Sequence, residues 1–223
     1  MKFSAMQEVS LQDYPGKIST IVWVNKCNKR CWWCSNPEFV NGKIKAKINE
    51  NDVISKIIEK NKTGKWIEAI VICGGEPTIF KGLSKFLYNI RDKIPYLKIK
   101  LDTNGIKLNV LKKIIKNDLV DYIAMDIKPS EFDNKDYLKS VEIVKNFILK
   151  KDGEFRWTLY PGSLDSKDRF LEIFKDANKI YFQRFSRKMK LLKDNNKKEY
   201  SFKELNNFYE EIKNKLKKVD KRW

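Results

Sequence analysis

Histidine is absent from this 223-residue chain. A zinc site, which usually arrives as two Cys/His pairs, would therefore need all four cysteines, Cys27, Cys31, Cys34 and Cys73. There is no apolar run of membrane-spanning length and no Gly/Ser/Pro-rich linker, which argues against a membrane span and against a second domain. No secretory leader is recognisable, and a chain of this length can build a core without covalent staples. Disulfides are not expected, so the thiols read as reduced and the protein as cytoplasmic.

What the chain does have is a cysteine cluster. Three of the four cysteines fall within eight residues, Cys27-Asn-Lys-Arg-Cys31-Trp-Trp-Cys34. Three thiolates on one short loop can hold three irons of a [4Fe-4S] cube and leave the fourth iron open to a small molecule. An open iron suggests chemistry rather than a structural staple. Cys73 ends an apolar run and reads as a buried, inert thiol, because a fourth protein ligand would block that opening.

A second motif lies far away in sequence. Ile70-Val-Ile-Cys73-Gly74-Gly75-Glu76-Pro77-Thr78 is a strand-type run that breaks into two glycines and an acid. Paired glycines let a backbone approach a ligand closely, and a neighbouring carboxylate can accept hydrogen bonds from an ammonium group. Asp102-Thr103-Asn104-Gly105 is a good turn sequence in its own right. Its side chains could equally touch a ribose or a bound cation, and the residues alone leave both readings open.

Short β-branched or aromatic runs predict strands over Ser19 to Asn25, Ala69 to Cys73, Lys98 to Thr103, Tyr122 to Asp126, Phe155 to Leu159 and Ile180 to Phe185. Helical patterns lie between them at Asn51 to Lys62, Lys81 to Lys93, Leu108 to Lys116, Asp136 to Lys150 and Ser166 to Phe174. Strands alternating with helices imply an α/β fold of parallel βαβ units, either a partial barrel or an open wound sheet. The Cys loop, Gly-Gly-Glu, Asp-Thr-Asn and Asp126-Ile-Lys128 then all follow strand C-terminal ends, the face where such folds bind ligands.

Together these residues resemble the radical S-adenosylmethionine (radical SAM) superfamily, whose signature is three cysteines in this spacing with an aromatic residue, here Trp33, before the third. The resemblance implies a partial (β/α)6 TIM-type barrel as a single domain over residues 1–223, with its core at about 17–186. It implies Cys27, Cys31 and Cys34 as cluster ligands, and S-adenosylmethionine chelated at the free iron through its methionyl end. Gly74, Gly75 and Glu76 would lie at that end and Trp33 near the adenine. Asp102, Thr103, Asn104, Asp126 and Lys128 would lie at the cofactor or at a nearby monovalent cation.

Further segments resemble the glycyl radical enzyme activases, and among them the anaerobic ribonucleoside-triphosphate reductase activating proteins. They are Ser10-Leu-Gln-Asp-Tyr-Pro-Gly-Lys17, Ser35-Asn-Pro-Glu38, Leu101-Asp-Thr-Asn-Gly105, Asp121 to Pro129, Phe155 to Gly162 and Ile180 to Phe185. The implied reaction takes one electron from a flavodoxin or ferredoxin, cleaves the cofactor to methionine and a 5′-deoxyadenosyl radical, and abstracts hydrogen from a glycine of a partner enzyme. Members of that group usually carry a glycine before the first cysteine and a histidine after the third, where this chain has Lys26 and Ser35. A small-molecule enzyme resembling the carboxydeazaguanine synthases is the alternative within the superfamily, and a non-catalytic metal-binding nucleic-acid module the alternative outside it. The latter gives no reason for Gly-Gly-Glu.

The charge excess, 47 Lys+Arg against 29 Asp+Glu, is spread over every helix and reads mostly as compositional drift in an Asn- and Ile-rich chain, so no nucleic-acid partner is expected. The one concentrated basic stretch, 184–198, reads as a solvated loop or as a docking point for an acidic partner. Ser201-Phe-Lys-Glu204 is a capping box, and Leu205, Phe208, Ile212, Leu216 and Val219 at helical spacing predict a C-terminal helix over 200–219.

Overall fold

The computed structural model describes residues 1–187, 191–193 and 196–223; parts of the basic 184–198 stretch thus lie outside the described residues. In chain order the elements are β1 (Lys2–Phe3), β2 (Ala5–Tyr14), β3 (Lys17–Val24), α1 (Pro37–Val40), β4 (Ile48–Asn49), α2 (Glu50–Lys60), β5 (Ala69–Gly74), α3 (Leu83–Lys93) and β6 (Lys98–Thr103). They continue with α4 (Leu108–Lys116), β7 (Tyr122–Asp126), α5 (Lys135–Lys150), β8 (Asp152–Leu159), α6 (Lys167–Phe174), β9 (Ile180–Arg184), α7 (Phe202–Ile212) and β10 (Val219–Arg222). The fold is α/β with a mostly parallel sheet, as the alternation of patterns predicts. Among the described residues no helix is long and apolar enough to cross a membrane.

The chain divides into two compact units, each assembled from separate stretches. The first holds Met1–Arg30, Asn36–Thr103 and Asn109–Ile123; the second holds Cys31–Ser35, Asn104–Leu108 and Ala124–Trp223.

In the first unit β3 pairs parallel with β5, and β5 parallel with β6. Ala69, Ile70, Val71 and Ile72 of β5 are all buried, which is why this strand reads as an unbroken apolar run rather than an alternating one. Helix α2 turns Val53, Ile54 and Ile57 inward, and α3 does the same with Phe86, Leu87 and Ile90. Each such side chain contributes roughly 1.5–3 kcal/mol by leaving water.

Strand β2 is an addition to the predicted strands, the first of which is expected at Ser19 to Asn25. It pairs antiparallel with β3 through a two-residue turn, with Tyr14 opposite Lys17. Pro15 sets the first turn dihedral and Gly16 takes φ +70°, the positive value a type II turn requires. Most β2 side chains are exposed or half-exposed, so the strand has no apolar run to announce it.

In the second unit β8 pairs parallel with β9, and β9 parallel with β10. The core here is aromatic: Trp157 packs on Phe170 with ring centroids 4.4 Å apart and edge-on to Phe208 and Phe182. The predicted C-terminal helix is corrected in extent. Its capping box forms, with the Glu204 carboxylate accepting from the Ser201 N–H at 2.7 Å. The helix nevertheless ends at Ile212, Lys213–Lys215 tighten into a 3₁₀ turn, and Val219 lies opposite Ile180 as the start of β10. The edge of β9 thereby gains partners for its backbone polar groups, which a continued helix would not supply. Arg222 closes this edge by a two-pronged contact with Glu154, at 3.2 and 2.8 Å.

Candidate functional site

In the first unit the chain leaves β3 at Val24 and reaches Cys27 through Lys26. The Lys26 N–H donates to the Phe39 carbonyl at 2.7 Å, and its backbone takes φ +64°, the left-handed region that a residue with a Cβ enters only at a cost. This is the position where the activase pattern carries glycine. Beyond it the Cys27 sulfur accepts the Lys29 N–H at 3.3 Å, and the Arg30 guanidinium donates to the Cys27 carbonyl at 2.7 Å. Cys27 is half-exposed.

Gly74 and Gly75 are packed against this exit. A Cβ on Gly74 would lie 2.4 Å from the Val24 carbonyl oxygen, and one on Gly75 only 1.8 Å from that of Lys26. Both glycines therefore leave room for the backbone that carries the first cysteine.

Glu76 follows, buried at 1% exposure. Its Oε1 accepts from the Thr78 N–H at 3.0 Å, the Thr78 hydroxyl at 2.5 Å and the Thr103 hydroxyl at 2.7 Å. Two of the expected site residues, Glu76 and Thr103, are thus brought into contact, and the carboxylate is fixed in one orientation. Asp102, one residue earlier on β6, has the Lys100 ammonium 2.8 Å from its Oδ1, off the hydrogen-bonding axis, so the contact is ionic. Cys73, expected buried, is half-exposed, because β5 runs out of its covering layer at Cys73–Gly74.

In the second unit the Cys34 N–H donates to the Cys31 carbonyl at 3.0 Å, closing the turn that bears both thiols. An aromatic group anchors that turn. Trp33 stacks on Tyr160, at the end of β8, with centroids 3.6 Å apart and planes 19° apart. Trp32 meets Tyr160 and Phe185 edge-on at 5.6 and 5.2 Å. Burial, helped by the Cys31 charge, pushes the Tyr160 phenol up to about 12.

Asp126 and Lys128 meet directly, with Nζ 3.2 Å from Oδ2. The other oxygen of Asp126 takes Arg156, Nε at 3.1 Å and a terminal nitrogen at 3.0 Å. Burial works against the charge on Lys128. The Asp126 carboxylate and then the Cys31 and Cys34 thiolates outweigh it, holding the ammonium well above the ordinary lysine range. The Tyr137 hydroxyl donates to the Asp126 carbonyl at 3.2 Å and accepts the Lys128 N–H at 3.0 Å, bracing the pair. Asn104 behaves as the turn reading expects: its Oδ1 accepts the Ile106 N–H at 3.1 Å.

Arg156, Tyr160 and Lys100 were not singled out by sequence reasoning. For Arg156 and Lys100 the available signal was a cation flanked by apolar strand residues, Phe155 and Trp157 or Ile99 and Leu101, which must find a counter-charge if it is buried.

The chain matches the Radical SAM superfamily over residues 21–141. It belongs to that superfamily. A protein of Methanocaldococcus jannaschii named "Putative glycyl-radical enzyme activating enzyme" is 31% identical over 201 residues, covering 83% of this chain and 80% of that one. A GTP 3′,8-cyclase of Petrotoga mobilis is 36% identical over 85 residues, 38% of this chain and 26% of the cyclase. Among solved structures, a radical SAM methyltransferase from Sphaerobacter thermophilus superposes with TM-score 0.64 at 12% identity, covering 94% of this chain and 67% of that one. SuiB of Streptococcus suis, bound to S-adenosylmethionine, superposes with TM-score 0.61 at 16% identity over 91% of this chain and 52% of SuiB. At these identities the structures show the fold alone.

Membership of the radical SAM superfamily implies a [4Fe-4S] cluster and S-adenosylmethionine. The donor set fits: three thiols tied together by at most about 3.6 Å of chain per residue, two of them beside a lysine held in its charged form. Among the described residues no three Cys, Asp or Glu side chains already stand as a metal-ligand group. At Asp102, one of the residues expected at the cofactor or at a monovalent cation, the Lys100 ammonium stands 2.8 Å from Oδ1, so a cation at that oxygen does not fit.

Proposed function

We propose that this radical SAM protein is a glycyl radical enzyme activase. The observation that carries the reading is the extent of likeness: the M. jannaschii protein is matched over 83% of this chain, whereas the cyclase is matched over 38%. Its finer target, on the motifs given above, is an anaerobic ribonucleoside-triphosphate reductase. A flavodoxin or ferredoxin is the electron donor, and the net charge of +18 suits an acidic donor by raising its rate of encounter. Reduced thiols fit a cytoplasmic setting.

Cys27, Cys31 and Cys34 hold the cluster. When bound, the cluster supplies the electron that cleaves S-adenosylmethionine to methionine and the 5′-deoxyadenosyl radical. The chain's own residues bind and orient. Glu76, fixed by Thr78 and Thr103, accepts from the methionyl ammonium. Lys128, held in its charged form, offsets the negative charge of the cluster ligands, and Arg156 pairs with Asp126 alongside it. Trp33, backed by Tyr160, gives the adenine an aromatic neighbour, and Trp32 and Phe185 keep water from the turn.

The test is electron paramagnetic resonance on the candidate reductase after anaerobic incubation with reconstituted activase, reductant and S-adenosylmethionine. A glycyl radical signal that needs all components supports the reading. Cofactor cleavage without any signal on the reductase would move the target to another glycyl radical enzyme or to a small molecule.

A further inference from the structure

We infer that Lys100 is a built-in counter-cation for Asp102, so that the site at the end of β6 works without a bound monovalent metal ion. The inference rests on the radical SAM reading of that strand end. Residues two apart on a strand share a face, so β6 presents Lys100 and Asp102 side by side. Lys100 is only 4% exposed, a rare condition for lysine unless it is paired. Its Nζ stands 2.8 Å from Asp102 Oδ1 and 5.7 Å from the centre of the Tyr122 ring, which packs in turn on Tyr14 at 5.6 Å. A carboxylate and an aromatic face are the two environments that make a desolvated ammonium tolerable.

The neighbouring lysine on the same face is committed elsewhere, Lys98 to Asp121 at 3.1 Å, so Lys100 is the strand's charge assigned to Asp102. An ammonium is a compact monovalent cation with three donors. Unlike a dissolved ion it is tethered, so no free energy of ion capture is spent and no dependence on salt identity arises. A metal ion against the same oxygen would meet the ammonium at close range and be repelled.

The test measures S-adenosylmethionine binding by calorimetry on anaerobically reconstituted enzyme, in tetramethylammonium, sodium and potassium chloride at one ionic strength. Wild type is expected to bind within about twofold in all three. Lys100→Met is expected to lose about tenfold in tetramethylammonium and to recover with sodium or potassium, while Lys100→Arg stays near wild type. In parallel, the melting temperature of the metal-free Lys100→Met chain should rise when potassium replaces tetramethylammonium, and that of wild type should not.

A wild type that needs sodium or potassium, or a Lys100→Met protein indifferent to the cation in both measurements, would overturn the inference. A fully iron-loaded wild type that binds no S-adenosylmethionine in any salt would instead sink the radical SAM reading of this strand end. The melting series on the metal-free chain would still decide whether Lys100 neutralises Asp102.

Discussion

Gly75 and Lys26 sit back to back. The Gly75 N–H donates to the Val24 carbonyl and the Glu76 N–H to the Lys26 carbonyl, each at 2.9 Å, while a Cβ on Gly75 would stand 1.8 Å from that Lys26 oxygen. The Gly-Gly-Glu segment and the residue before the first cysteine therefore share one backbone seam. Whatever shifts one side shifts Cys27.

Gly75→Ala should accordingly cost about 3 kcal/mol, the upper part of the overpacking range, because the obstacle is backbone and cannot rotate away. Urea unfolding measures it. Iron content after reconstitution should fall in the same variant, whereas an unchanged unfolding midpoint would show that β3 and β5 part easily.

Lys26→Gly should act in the opposite direction. Lys26 holds φ +64°, and removing its Cβ relieves about 1 kcal/mol of left-handed strain, less the extra freedom glycine gains when unfolded. A small rise in unfolding free energy is expected, with cluster loading at least equal to wild type.

These two positions also show what was legible. The spacing of Cys27, Cys31 and Cys34 and the Gly-Gly-Glu run stood out because local sequence carries them. Strands β6 and β7 and helix α4 have the predicted limits, because buried parallel strands and an amphipathic helix write their burial into sequence. Strand β2 was hidden by its solvent-facing residues, although Pro15-Gly16 marked its turn. Strand β10 was hidden because Val-Asp-Lys-Arg becomes a strand only by pairing with β9. Arg156 was hidden for a related reason, since its role comes from Asp126, a carboxylate that folding brings beside it, whereas Lys100 and Asp102 lie two apart on one strand and could have been read together.

Arg156→Met should cost about 2 kcal/mol, since it removes two charge-assisted contacts from a half-buried Asp126. Lys128 then remains as a partner of Asp126, so the chain should still fold. S-adenosylmethionine affinity, measured on the reconstituted enzyme, should weaken more than stability does if the pair is part of the cofactor site.

Acid sensitivity should trace in part to Asp121. Burial pushes its carboxyl up, but the Ile99 N–H at 2.9 Å and the Arg91 guanidinium at 2.7 Å outweigh it and hold the group below the usual carboxylate range. A folded value below the unfolded value of about 3.9 gives stability that is present above that pH and lost as pH falls through the folded value. Asp121→Asn should be less stable than wild type at neutral pH and should lose less between about pH 5 and pH 2. Parallel acid curves for the two proteins would show that Asp121 contributes nothing to acid sensitivity.

Three cysteines in one loop are assigned the cluster that cleaves S-adenosylmethionine. The direct measurement is 5′-deoxyadenosine released after anaerobic reconstitution with iron and sulfide, reduction, and addition of the cofactor, for wild type and Cys31→Ala. Product is expected from wild type and background from the variant. A wild type that carries stoichiometric zinc, or that is fully loaded with iron yet releases no 5′-deoxyadenosine, would contradict that assignment.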